Sequence, residues 1–112
     1  MSRARRNTEQ GYTVSQVAIR GFASAPVERF FREERLPRGA GWVAVARVVA
    51  RKLDLLDYAG ALSDLASPPG NRLEALRGDL AGFHSVRIND QWRIVFRWTV
   101  SGPIDVDVRD YH

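Results

Sequence analysis

Apolar and polar positions change rhythm twice along this chain, and the changes mark out its elements. Val17 and Ile19 alternate with polar neighbours in "SQVAIRGF", which predicts a first strand over residues 15–22. Ser24 then stands where a helix cap is wanted, with Pro26 in the first turn, so a short helix is predicted over Pro26 to Arg35. "LPRGAG" breaks it. From Trp42 the spacing lengthens: Trp42, Val45, Ala46, Val49, Leu53 and Leu56 form one stripe of an amphipathic helix that ends near Tyr58 to Gly60. "ALSDL" adds a further turn, and "SPPGN" stops helical structure, since two prolines and a glycine do not continue a helix.

Beyond Asn71 the period falls to two. "RLEALRG" reads as a short strand, and "HSVRIN" and "WRIVFRW" read as an antiparallel hairpin turning at "DQ". Trp92, Ile94, Phe96 and Trp98 share one face; Arg93, Val95 and Arg97 share the other. After "SGP" the chain alternates again through "IDVDVRDYH", with Ile104, Val106 and Val108 expected to point inward. A strand, two helices and three or four strands make an α+β fold, with N-terminal helices packed on one face of a mainly antiparallel, twisted sheet. Residues 1–14 lack periodicity and read as a disordered basic lead-in; residues 15–112 read as a single domain without repeat or linker.

Composition narrows the classes of function. A chain of 112 residues, 45% apolar, can bury one modest core, and no apolar run approaches the roughly 18 residues of a membrane span. The basic N-terminus lacks the apolar stretch of a secretory signal, so a cytoplasmic protein without a membrane partner is expected. There is no cysteine, which excludes disulfides and thiol chemistry, and two histidines, His84 and His112, are too few to suggest a metal site. No cofactor is expected. The net charge is +4, and of 17 basic side chains only Lys52 is not arginine. Arginine matches phosphate oxygens as a planar fork, so the balance points to nucleic acid or an acidic partner.

With the helices on one sheet face, Arg87, Arg93, Arg109 and Tyr111 are expected to project from the other, with Arg77 on the neighbouring short strand. Guanidinium groups beside a phenol can hold phosphate and stack a base; the alternative is a solvated face of cross-strand Arg–Asp pairs. Trp92 and Trp98 belong to the core on this reading, and His84 is structural.

The stretch "NRLEALRGDLAGFHSVRINDQWRIVFRW", with the ending "DYH", resembles the HigB branch of the RelE toxin superfamily over roughly residues 16 to 112. The shared pattern is L-x-x-L-[KR]-G-D, then S-[IV]-R-[IV]-N-x-x-W-R-I-x-F, then a terminal D-Y-H. The resemblance implies the toxin of a type II toxin–antitoxin system: a metal-independent, ribosome-dependent mRNA endoribonuclease that inhibits translation and is neutralised by a helix-turn-helix antitoxin of the HigA type. It places the site on Arg77, Arg93, Asp110, Tyr111 and His112. Some members read L-H-P-L-K-G-D where this chain has Leu73-Glu74-Ala75-Leu76-Arg77-Gly78-Asp79.

RNA cleavage without a metal needs a base for the 2′-hydroxyl, positive charge for the phosphorane-like state and an acid for the leaving oxygen. Arg77 and Arg93 suit the second role, with Arg87 as a further RNA contact. His112 suits either proton transfer, Glu74 is a candidate base, Asp110 can orient His112, and Tyr111 suits stacking or phosphate binding. A weakly active or non-catalytic module that binds antitoxin or RNA is the alternative, marked by Glu74 and Arg77 at the two departing positions.

Overall fold

The computed structural model describes residues 18–110; the expected lead-in, Tyr111 and His112 lie outside the described residues. Helix α1 spans Ala25–Glu33 and begins as its sequence dictates: the Ser24 hydroxyl accepts the Val27 amide N–H at 3.3 Å, and Pro26 sits in the first turn. It ends before the expected Arg35 because Glu34 turns left-handed (φ 59°), donating its N–H to the Phe30 carbonyl at 2.9 Å. Helix α2 spans Ala46–Tyr58; the expected start at Trp42 is instead a 3₁₀ turn over Gly41–Val45. The tighter turn brings the backbone against Trp92. A Cβ at Gly41 would lie 2.7 Å from that indole, so glycine is what allows the approach.

Further 3₁₀ turns span Leu62–Ala66, Pro69–Asn71 and Gly78–Leu80. The "SPPGN" stop therefore ends the α-helical run but makes a tight turn of its own. Four strands follow: β1 (Glu74–Ala75), β2 (His84–Arg87), β3 (Trp92–Thr99) and β4 (Gly102–Asp110). They form one antiparallel sheet in the order β1-β2-β3-β4. Strand β1 has only two residues, so Arg77 lies beyond its end rather than on it, at the entry to the Gly78–Leu80 turn.

The helices cover one face of this sheet. Val49, Leu53 and Leu56 of α2 meet Val86, Ile94, Phe96 and Val106, all essentially without solvent contact. Each such side chain contributes about 1.5–3 kcal/mol through burial. Trp92 and Trp98 pack against this core, as their alternation predicts.

Two expectations about strands need correction. The run over residues 15–22 is described from Ala18, and there it forms an isolated parallel bridge between Phe22 and Val106 rather than a regular strand. Arg20 donates to the Pro103 carbonyl at 2.8 Å and Ala23 to the Val106 carbonyl at 2.9 Å; buried Asp57 accepts the Ile19 N–H at 2.9 Å. The segment lies so close to β4 that a Cβ at Gly102 would be 2.2 Å from the Ala18 carbonyl oxygen. Ile104, expected inward, is instead on the open face opposite Arg97. The cause is a bulge: Val95 pairs with Asp107 but Arg97 with Ile104, so Asp105 and Val106 together face Phe96. Asp105 takes a left-handed conformation (φ 53°), and every residue before it changes face. The bulge also lies between the two points where residues 18–23 hydrogen-bond to β4, which interrupts that ladder.

Candidate RNA-binding face and groove

Strand register arranges the open face in rows. Arg87 of β2 is opposite Arg93 of β3, which is opposite Arg109 of β4. The next row runs Glu74, Ser85, Val95, Asp107 across all four strands. Directly opposite side chains in a sheet approach to about 5 Å, and like charges so placed repel. Three arginines in one row therefore require partners, and each has a different set.

Arg93 is the most enclosed. Only 5% of it is exposed. Its Nε donates to the Ser85 hydroxyl at 2.7 Å, and one Nη donates to the Arg72 carbonyl at 2.6 Å and the Ser85 carbonyl at 3.4 Å. Glu74 completes the enclosure, its carboxylate 3.6 Å from the same nitrogen. Arg93 thus lies on the expected face but is covered by β1 and the turn at Arg72. Arg87 makes a 2.6 Å ion pair with Asp90, whose side chain is almost wholly in solvent. Arg109 lies 3.6 Å from Asp107.

Asp107 is a feature that alternation alone does not disclose. It lies half-buried on β4, at the end of its row, and that burial raises its pKa above the usual carboxylate value. The Val108 N–H, donated to its Oδ1 at 2.8 Å, and the nearby Arg109 act in the opposite direction. A carboxyl there holds a proton more readily than an exposed one.

Beside these rows opens a groove of about 530 Å³ lined by Leu76, Arg77, Leu80, Val95, Val108, Arg109 and Asp110. Two guanidinium groups and a carboxylate thus rim an apolar floor. Arg77, exposed in the loop after β1, lines the same groove as Arg109 although 32 positions separate them. Asp110 ends β4 and accepts a hydrogen bond from the Gln91 side-chain amide at 3.0 Å. Leu76, Leu80 and Gln91 were not singled out by sequence pattern; their roles depend on the loop over residues 76–80 folding back beside β4. His84 lies on the covered face, stacked on Phe96 with centroids 6.2 Å apart. Among the described residues no three His, Asp or Glu side chains gather into a metal-ligating set.

Of the candidate site residues, the structure brings Arg77, Arg109 and Asp110 to one groove and joins Glu74 to Arg93 nearby. Arg87 stands at the far end of the arginine row. Asp110 is the last described residue, so the groove lies where the chain leads into Tyr111 and His112.

Comparison with known proteins identifies the family. Residues 20–112 match the model for the RelE-like toxin of type II toxin–antitoxin system HigB. The chain is 42% identical over 72 residues to Toxin HigB-1 of Vibrio cholerae, covering 64% of this chain and 75% of that one. It is 38% identical over 52 residues to an uncharacterized protein of Haemophilus influenzae, covering 46% of this chain and 52% of that one. Among solved structures, a YoeB/ParE toxin from Agrobacterium tumefaciens aligns over 87% of this chain and 99% of its own, at 20% identity and a TM-score of 0.46. The match to the family model spans the helices, the sheet and both sides of the groove, and the chain belongs to the HigB family of RelE-like toxins of type II toxin–antitoxin systems.

Proposed function

We propose that this toxin is a metal-independent endoribonuclease that cuts mRNA on the ribosome, and that a helix-turn-helix antitoxin of the HigA type restrains it. Family membership supports an RNA-cleaving toxin with an antitoxin partner. The observation that carries the chemistry is the groove, where Arg77 and Arg109 flank Asp110 at the point where β4 leads into the terminal Tyr-His pair. In this reading Arg77 and Arg109 hold the scissile phosphate and stabilise charge developing on its oxygens. His112 transfers the proton to the leaving 5′-oxygen, Asp110 orients it, and Tyr111 stacks on a base or bonds phosphate.

Arg93 and Glu74 act from beneath. The 3.6 Å pair between them, with Arg93 locked by Ser85 and Arg72, supports a positioning role for both: Arg93 adds fixed positive charge under the groove, and Glu74 holds its guanidinium in place. The proton of the attacking 2′-hydroxyl passes to solvent ordered by the ribosome, which supplies part of the RNA geometry. The same enclosure of Arg93 favours the second reading, a binding module of low activity.

Translating ribosomes mixed with purified toxin, followed by mapping of mRNA 5′ ends, separate the two. Discrete cuts that persist for toxin stripped of metal with EDTA and dialysed before it meets the ribosomes, and that vanish for His112→Ala, support the nuclease. Tight ribosome binding with no cuts supports the module.

A further inference from the structure

Lys52 is the single lysine of the chain, and nothing above uses it. It lies on α2 and reaches the side chain of Asn71 in the turn before β1. Asn71 is 1% exposed, and its amide nitrogen donates to the Leu65 and Ser67 carbonyls, both at 3.1 Å. Those bonds fix its flip, so that its carbonyl oxygen faces Lys52. The ammonium is therefore held by a rigid but uncharged acceptor, which orients the charge and leaves it intact.

Positive charge accumulates around it. Partial burial holds the Lys52 pKa below its ordinary value, and Arg51, which precedes it on the helix, and Arg87, at the end of β2, act in the same direction. Among the described residues no carboxylate forms an ion pair with Arg51 or Lys52. Asp54 stands one turn along α2 from Arg51, and Asp90, paired with Arg87, has a side chain that is 98% exposed. Three cations with a single, exposed ion pair among them repel one another, and an anion with several acceptor oxygens relieves all three.

We propose that Lys52, Arg51 and Arg87 form a second phosphate site, which holds a backbone phosphodiester of RNA outside the groove. The inference rests on the reading of this protein as an RNA-cleaving toxin and extends its footprint. Arg87 begins the arginine row and Arg109 ends it two strands away, about 10 Å at the usual strand spacing. A phosphate at Lys52 is thus a different one from that in the groove. RNA bound along the row runs from the open face round the β2 edge onto α2. Asp90 gives way to it, because a solvated ion pair of this kind is weakly held.

Because the chain has one lysine, lysine labelled with ¹³C at Cε gives a single side-chain NMR signal. The probe is a short single-stranded RNA carrying 2′-O-methyl groups, which the toxin cannot cut. Expected is a shift of that signal on binding, with its titration midpoint moved to higher pH, and a much smaller response to inorganic phosphate at equal phosphate concentration. Arg51→Gln removes an exposed side chain with no bond to the fold, and is expected to weaken RNA binding about three- to tenfold and to lower the salt slope by about 0.7. Lys52→Met is expected to do the same and Lys52→Arg to restore binding, while the positions of mRNA cuts stay unchanged. Binding of the same variants to the small ribosomal subunit tells whether the phosphate belongs to mRNA or to ribosomal RNA.

A Lys52 signal that does not respond to RNA, or responds equally to free phosphate, overturns the proposal. So does full affinity in Arg51→Gln and Lys52→Met. If Arg109→Ala abolishes RNA binding in that case, the nuclease reading stands without this site. If wild-type protein binds the RNA through Lys52 yet cuts no message, the nuclease reading falls and the site stands.

Discussion

The two faces of the sheet are made by alternate residues of the same strands, and they are stabilised in opposite ways. On the covered face Ile94, Phe96, Val86 and Val106 meet α2, and shape alone decides whether they fit. On the open face Arg87, Arg93 and Arg109 stand side by side, and each needs its own acceptor. The covered face contributes most of the stability through non-directional burial. The open face contributes little to stability and concentrates charge where a polyanion can reach it. A β-strand divides these tasks because its side chains alternate, so a residue can change on one face without disturbing the other.

The strongest way to break this division is from the core. Phe96→Ala should cost about 3–5 kcal/mol in urea unfolding, since Phe96 has no exposed surface and α2 cannot collapse into the space. Arg93 is the exception on its own face. Arg93→Gln should cost about 1–3 kcal/mol because it strips donors from Ser85 and the Arg72 carbonyl, an effect that no other arginine of the row should show. Arg77→Ala and Arg109→Ala should sharpen the contrast: unfolding within about 0.5 kcal/mol of wild type, but mRNA cleavage lowered about 10- to 100-fold, the worth of a charge-assisted bond.

The smallest effect concerns Asp107. Its pKa is raised in the folded chain, so the folded state binds a proton more readily than the unfolded one. That contribution favours folding at low pH and is lost as pH rises through the acid range. Asp107→Asn should therefore be more stable than wild type near neutral pH, by less than about 1 kcal/mol, with the difference closing as pH falls below the ordinary carboxylate range. Thermal melts at several pH values measure it; a difference that widens on acidification would contradict the role assigned to burial.

Local periodicity carried the reading of the fold where neighbours in sequence decide the outcome. The stripe from Val49 to Leu56 and the alternation from Trp92 to Trp98 need only one face of an element to be buried, and both are found as expected. Ile104 was misplaced because a single residue, Asp105, takes a conformation that alternation has no means to register. The site was legible as residue types and as a family resemblance, but not as contacts. Arg77 comes to the same groove as Arg109, and Arg93 meets the Arg72 carbonyl, only after the loop over residues 76–80 and the turn before β1 fold onto the sheet. A carbonyl oxygen has no signature in sequence. The enclosure of Arg93 follows from that bond and from two-residue β1, neither of which a charge pattern foretells.

The bulge at Asp105 makes β4 a strand of two phases. Residues 18–23 are held on both sides of the bulge, at Pro103 and at Val106, but only the half from Val106 onward fixes which side chains face the groove. An extra residue in the hairpin between Thr99 and Gly102 would be absorbed ahead of the bulge and leave the groove intact. One inserted between Val106 and Arg109 would turn Arg109 into the core and Asp110 onto the other face. The two ends of one strand therefore differ in the mutations they tolerate: the hairpin is free to lengthen, and the last five residues are held to a single count.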